Sequence, residues 1–343
     1  MKKIVFCADG TWSHPKSSDA VSTTDTNVYK LYKALTTSAT QSPLYDDGVG
    51  ADTSIIEHLL GGGFGTGLFQ KVKDGYTQIA HNYNDGDQIY LFGFSRGAYT
   101  ARSIGGMLTA CGLPTNLTQQ AIDDAFSTYR MQPQSAERQA ARANLTQNYG
   151  NRPVSIAMIG VWDTVGSLGI PSVIGGVDPI LYGFLNTQLS AQVQAAYQAI
   201  SIDERRRSFP PTLWDGDPAP GQTIEQVWFS GCHSSVGGGC PDCGLSDITL
   251  KWMLGKAKDN GLEIDPTIWN TYQAIDSAAN ALDEIQESWN ILWGIPMHRT
   301  IASNAAIASS VASRLQHIAA YTPPNLVLTS QRALATTYMS ITV

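Results

Sequence analysis

Basic residues are scarce in this chain. Its 22 lysines and arginines face 29 acids, for a formal net charge of −7. No long basic run offsets that charge, so no nucleic-acid partner is expected. The one concentrated basic patch is Arg205-Arg206-Arg207. Asp203 and Glu204 precede it, so it reads as a solvated helix face or an ion-pair network. Long apolar runs are missing too. Nothing reaches the roughly 20 uncharged apolar residues of a membrane-spanning helix. The run Ile4-Val5-Phe6-Cys7-Ala8 after Lys2-Lys3 is too short for a signal-peptide core, and Asp9 ends it. The expected location is cytoplasmic, or outside after export without a cleavable signal peptide. Cysteine is sparse: five residues, an odd count at irregular spacing, make no disulfide framework. Cys240-Pro241-Asp242-Cys243 is a lone CxxC, with Cys232 and His233 as the only nearby residues to complete a zinc site. Two incidental loop thiols are the expectation, with a local disulfide and zinc as alternatives. No metal site is expected.

What is present supports a sizeable fold. The 343 residues are 43% hydrophobic and include 32 glycines, which suits many tight strand-to-helix turns. Apolar runs bounded by turn residues predict buried strands at residues 3–8, 88–92, 154–161 and 224–229. Helical spacing appears at 27–35, where Val28, Leu31, Tyr32 and Leu35 share a face, and again at 69–81 and 98–110. Strands alternating with helices predict a mostly parallel sheet covered by helices on both faces. One domain over 1–343 is expected, with helical cap insertions at 112–150 and 166–222. Within the second, 191–200 reads as helix. The tail from Trp252 reads as mainly helical, including 275–289 and 305–315, before an extended stretch at 321–325.

The most informative stretch is Ile89-Tyr90-Leu91-Phe92-Gly93-Phe94-Ser95-Arg96-Gly97-Ala98. An apolar strand runs into G-x-S-x-G and a helix pattern follows, which is the context a nucleophile elbow requires. A serine on such a turn projects its hydroxyl above the sheet. The following helix aims N–H groups and its positive dipole end at the same place. Ser95 is therefore the candidate nucleophile, and the Arg96 N–H a candidate oxyanion donor.

A serine nucleophile needs a base, and the base an orienting acid; in this fold they follow the serine in the order acid, then histidine. There are only six histidines. His14, His58 and His81 precede Ser95, and His298 and His317 lie in the helical tail. His233 directly follows an apolar strand, in a Gly/Ser-rich loop. For the acid, Asp163 ends the apolar run 155–162 at a strand's carboxyl end, where parallel-sheet sites form. Asp203 and Asp247 compete with it. The second oxyanion donor is expected from Gly10 or Thr11, after the first strand. Leu168 and Ile170, in an apolar segment at 165–177, are candidates for a substrate-binding lid that meets lipid, as is the Gly-rich stretch 59–64; ordinary cap packing is the alternative for both.

Together these motifs resemble the uncharacterised α/β-hydrolase domain family that includes the type VI secretion phospholipase effectors of the first lipase class. The match runs through Phe6 to Trp12, Tyr45-Asp46-Asp47-Gly48-Val49-Gly50, Gly93 to Ala98, Val161 to Gly166, Asp203-Glu204-Arg205-Arg206, Val227 to Gly239, Gly244-Leu245-Ser246-Asp247 and Pro323-Pro324-Asn325. It departs where Ser235 and Cys240 replace the family's usual aspartate and aromatic residue. The resemblance implies an α/β-hydrolase fold and a triad of Ser95, Asp163 and His233. It also implies hydrolysis of esters, with phospholipids as substrates of the effector members. A Ser-His-Asp mechanism needs no cofactor, and the apolar segments at 165–177 and 59–64 are the candidates for peripheral membrane contact. Two other readings stand beside it. One is a catalytically inert binding or structural module on the same fold. The other is an aspartate-nucleophile phosphatase, suggested by Asp9-Gly10-Thr11 after the first strand, which would need another aspartate two positions earlier, where this chain has Cys7.

Overall fold

The structure is a computed structural model that describes residues 1–10, 21–48, 64–165 and 187–343. Eight strands form one sheet: β1 (Lys3–Ala8), β2 (Gln41–Asp46), β3 (Gln88–Phe94), β4 (Ile156–Trp162), β5 (Val193–Ser201), β6 (Thr223–Phe229), β7 (Ala306–Ala308) and β8 (Met339–Ile341). Their order is β2-β1-β3-β4-β5-β6-β7-β8, and every neighbouring pair is parallel. The doubly covered parallel sheet of the α/β-hydrolase fold is therefore present.

Alternation along the strands divides the core in two. Ile4, Phe6 and Ala8 of β1 and Ile89 and Leu91 of β3 face one layer. That layer is built by α2 (Phe64–Asn82), α3 (Arg96–Cys111), α4 (Gln119–Arg130) and α5 (Ala136–Tyr149). Val5 and Cys7 of β1 and Tyr90, Phe92 and Phe94 of β3 face the other layer. There α1 (Asn27–Ala34), α6 (His233–Gly237), α7 (Gly244–Asp259) and α10 (Ser309–His317) cover the sheet. Helices α8 (Pro266–Gln273) and α9 (Ser277–Asn280) pack on α7. Thr26 caps α1 by accepting the Tyr29 N–H, and Asp265 caps α8 ahead of Pro266.

The four strands and three helices anticipated from pattern form within a few residues of the expected limits. Other expectations need correction. Residues 191–200 are not helical: Val193–Ser201 is β5, between β4 and β6. Its Ala- and Gln-rich sequence favours helix, but the strand is buried along nearly its whole length. Small side chains fit between two covered faces, so tertiary context overrides propensity. Among its described residues, 187–222, the second insertion thus gives a core strand and no helix. The 112–150 interval does hold two helices, α4 and α5; α4 packs on α2 and α3, and α5 on α4. In the tail, helix over 275–289 shrinks to α9, and 305–315 divides into β7 and then α10. Strand β2 sits at the sheet's edge, where Pro43 is tolerated because one side of the strand needs no ladder bond.

Candidate active site

Ser95 joins β3 to α3 with φ 59° and ψ −121°, a strained conformation for a residue other than glycine. The flanking glycines make the turn possible. A Cβ on Gly93 would lie 2.4 Å from the Gly97 carbonyl oxygen, and one on Gly97 would lie 2.2 Å from the Ala8 oxygen. Ser95 occupies the N-cap of α3, yet its side chain does not cap the helix. Its Oγ lies 2.8 Å from His233 Nε2 instead.

His233 opens the short helix α6 directly after the loop that follows β6. Its Nδ1 is 2.5 Å from Asp163 Oδ2. A carboxylate at that nitrogen holds the proton on Nδ1 and leaves Nε2 free to accept from the serine hydroxyl. The ring lies against Phe94, with centroids 4.6 Å apart, and edge-on to Phe209 at 5.2 Å. A Cβ at Gly237 would meet the Phe94 ring at 2.0 Å, so this contact needs glycine there. The His233 N–H donates to Glu204 Oε2 at 3.3 Å.

Asp163 follows β4 with φ 40° and is fully buried. Its Oδ1 accepts the Ser201 N–H at 3.0 Å. The Arg299 guanidinium donates to Oδ1 at 2.5 Å and to Oδ2 at 3.0 Å. Burial alone would push this carboxyl up. The Arg299 cation, then the bond to His233, outweigh burial and hold it well below the usual carboxylate range. Sequence reasoning missed Arg299. It lies 136 residues from Asp163 in a loop with no local motif, and only the rule that a buried carboxylate needs a partner hints that some cation must exist.

Glu204 is a second buried acid behind the site. Burial would raise its carboxyl, but hydrogen bonds and charge from Arg206 bring it down to about 2. Arg206 Nε and Nη2 reach its two oxygens at 2.8 and 2.9 Å, and Ser288 Oγ donates to it at 2.9 Å. The basic patch therefore belongs in part to an ion-pair network: Arg206 with Glu204, and Arg205 with Glu287. Asp203, one competitor for the orienting acid, accepts from the Gly231 N–H at 2.6 Å and Tyr321 OH at 3.0 Å, pinning the histidine loop. Asn325 of the Pro-Pro-Asn motif donates to the Ile202 and Arg299 carbonyls. Asp247, the other competitor, pairs with Lys30 at 3.0 Å.

The oxyanion expectations fare differently. Arg96 is the first residue of α3, at the positive end of the helix dipole. The Gly10 N–H is already engaged: it donates to Asp9 Oδ1 at 2.6 Å. Asp9 is itself buried, and Thr26 Oγ1 and Tyr45 OH donate to its Oδ2 at 2.6 and 2.7 Å. Burial pushes its carboxyl up to about 6 despite these bonds. Three hydrogen bonds make Asp9 an anchor for the end of β1 and leave it poorly placed as a nucleophile. Thr11, Leu168 and Ile170 lie outside the described residues, as do the lid segment from 166 and the stretch 59–63. Cys240 and Cys243 are free thiols, and no group of metal-ligating side chains occurs among the described residues.

The chain has relatives among known proteins. A model described as the T6SS phospholipase effector Tle1-like catalytic domain matches residues 2–256. An uncharacterized protein of Saccharomyces cerevisiae is 29% identical over 230 residues, covering 61% of this chain and 32% of that protein. The crystal structure of an uncharacterized protein from Pseudomonas aeruginosa superposes with a TM-score of 0.50 at 18% identity, over 81% of this chain and 49% of that one. A structure of the Tle1 effector bound to the VgrG spike of the type 6 secretion system aligns with a TM-score of 0.38 at 17% identity, over 69% of this chain and 50% of that one. The chain thus spans a third to a half of the length of these relatives. With the family model covering most of its length, the chain belongs to the T6SS Tle1-like phospholipase effector family, through that family's catalytic domain.

Proposed function

We propose that this chain is a serine hydrolase that cleaves carboxylic esters of phospholipids through an acyl-enzyme. The observation that carries the reading is the unbroken line of contacts from Ser95 Oγ to His233 Nε2 and from His233 Nδ1 to Asp163. Ser95 Oγ attacks the ester carbonyl while His233 Nε2 takes its proton. Asp163 holds the imidazole in the required tautomer and stabilises the imidazolium. The Arg96 N–H, at the positive end of α3, stabilises the oxyanion; one such donor is typically worth about 3–4 kcal/mol. His233 then returns the proton to the leaving alcohol. Water, losing its proton to His233, attacks the acyl carbonyl, and the fatty acid leaves as Ser95 Oγ regains a proton. Thr11 stands as the second donor, since the Gly10 N–H is occupied by Asp9. The alternative of an inert module is separated by one experiment. Mixed phospholipid vesicles are incubated with wild type and with Ser95→Ala, and the lipids are analysed by mass spectrometry. Free fatty acid and lysophospholipid released by the wild type alone is the expected result. Equal product from both proteins, or none from either, would remove the proposal.

A further inference from the structure

The apolar segments at which the sequence suggested lipid contact lie outside the described residues, but the described chain carries another. Residues 289–297 form a loop fixed by its own hydrogen bonds. Trp289 Nε1–H donates to the Gly294 oxygen at 2.9 Å, Ile291–Trp293 is a short 3-10 turn, and the Met297 N–H donates to the Arg205 oxygen at 2.9 Å. On this frame Ile291 is 83% exposed, Ile295 80% and Met297 49%. Single exposed apolar residues are ordinary. Three within seven positions, on a loop held in place, form a patch that marks an interaction surface.

Two aromatic rings join this patch to the site. Trp293 stands edge-on to Phe209 with centroids 5.5 Å apart, and Phe209 stands edge-on to His233 at 5.2 Å. Cations flank it. The Arg206 guanidinium lies 3.6 Å from the Phe209 ring centroid and 5.1 Å from that of Trp293, and Arg205 lies 5.7 Å from the Trp289 ring. Arg207, the next residue, is exposed. Indole rings at headgroup depth, the exposed Arg207 beside phosphates and aliphatic tips among acyl chains are what a bilayer interface accepts. Among the described residues no helix is long and apolar enough to cross a membrane; this loop would rest on its surface.

We infer that the 289–297 loop docks on a phospholipid bilayer and brings the Ser95–His233 site to the membrane face. The choice of lipid over a protein partner rests on the proposed function, because the patch adjoins a site whose ester substrate lies in the bilayer. The test is flotation with vesicles of phosphatidylcholine and phosphatidylglycerol, comparing wild type with Ile291→Asp/Ile295→Asp. Both side chains are largely exposed, so the variant keeps its fold, and its melting temperature checks this. Wild type is expected to float. The variant should bind at least about 10-fold more weakly, because two aliphatic side chains no longer leave water. Its turnover of vesicle lipid should fall in parallel, while fluorophosphonate labelling of Ser95 and hydrolysis of a water-soluble short-chain ester stay unchanged. Equal flotation of the two proteins, or a wild type that does not float, overturns the inference. Flotation needs no hydrolysis. A protein that floats, loses flotation in the variant and never labels at Ser95 would keep the docking surface and remove the catalytic reading.

Discussion

Arg299→Met tests what keeps Asp163 ionised. The substitution retains a side chain of similar reach and removes the guanidinium. Five hydrogen bonds go with it: two to Asp163, two to Ser201 and one to the Phe209 carbonyl. Asp163 stays fully buried, and Ser201 and His233 are its remaining partners. Removing one member of a buried ion pair typically costs about 3–5 kcal/mol, because the other charge is left uncompensated. That is a large part of the roughly 5–15 kcal/mol that stabilises most domains. The pH dependence follows from the direction of the shift. In the wild type the Asp163 carboxyl is held low, so its stabilising contribution is complete above its unfolded value and is lost only as pH falls through the still lower folded one. In the variant burial is opposed only by the bonds from His233 and Ser201, and the carboxyl moves up. The stability gap is therefore widest near neutral pH and narrows on acidification, as the variant's Asp163 takes up a proton. The acid limb of kcat/KM on a short-chain ester moves up with it. Urea unfolding at several pH values and a pH–rate profile read both effects. Arg299→Lys, which keeps the charge and loses the fork, should fall between the two. A variant within about 0.5 kcal/mol of wild type at neutral pH, with an unmoved acid limb, would refute the argument.

Gly97→Ala puts a Cβ 2.2 Å from the Ala8 oxygen and 2.5 Å from the Asp9 oxygen, both backbone atoms, so β1 or the start of α3 must shift. A loss of about 1–3 kcal/mol and slower labelling of Ser95 are expected; an unchanged melting curve and labelling rate would argue against the close approach. Gly255→Ala is the contrast. It lies inside α7 with open space around it and should stabilise by about 1 kcal/mol, read as a rise in the urea midpoint. Asp9→Asn tests the buried carboxyl near β1. The folded value of about 6 exceeds the ordinary 3.8, so the folded state holds its proton more tightly and wild-type stability falls as pH rises across that window. The variant has no such loss, so its stability relative to wild type should improve by roughly 2 kcal/mol from pH 4 to pH 7; a gap independent of pH would contradict the assignment.

How much was legible depended on range. The elbow around Ser95 is local: strand, glycines, serine and helix start fall within ten residues, and the glycines answer to contacts that pattern alone anticipates. Asp163 and His233 were reachable as candidates because each follows an apolar strand, Asp163 directly and His233 after a short loop, and few histidines exist to choose from. Strand β5 was not, since burial on both faces selects the same alanines that an exposed helix favours. Arg299 was invisible because a buried ion pair in a parallel fold joins residues with no sequence relation. The hydrogen bond that engages the Gly10 amide was not legible for a similar reason. Its acceptor is the neighbouring side chain, which turns inward only because Thr26 and Tyr45 hold it there.

The central claim is that Ser95 is a nucleophile activated by His233. It is tested most directly by reacting the folded protein with a fluorophosphonate and mapping the adduct by mass spectrometry, in wild type, Ser95→Ala and His233→Gln. The account predicts one adduct, on the peptide that carries Ser95, none in Ser95→Ala, and a rate lowered about 10²- to 10⁴-fold in His233→Gln. A folded wild type without an adduct on Ser95, or labelling as fast in His233→Gln as in wild type, would contradict it.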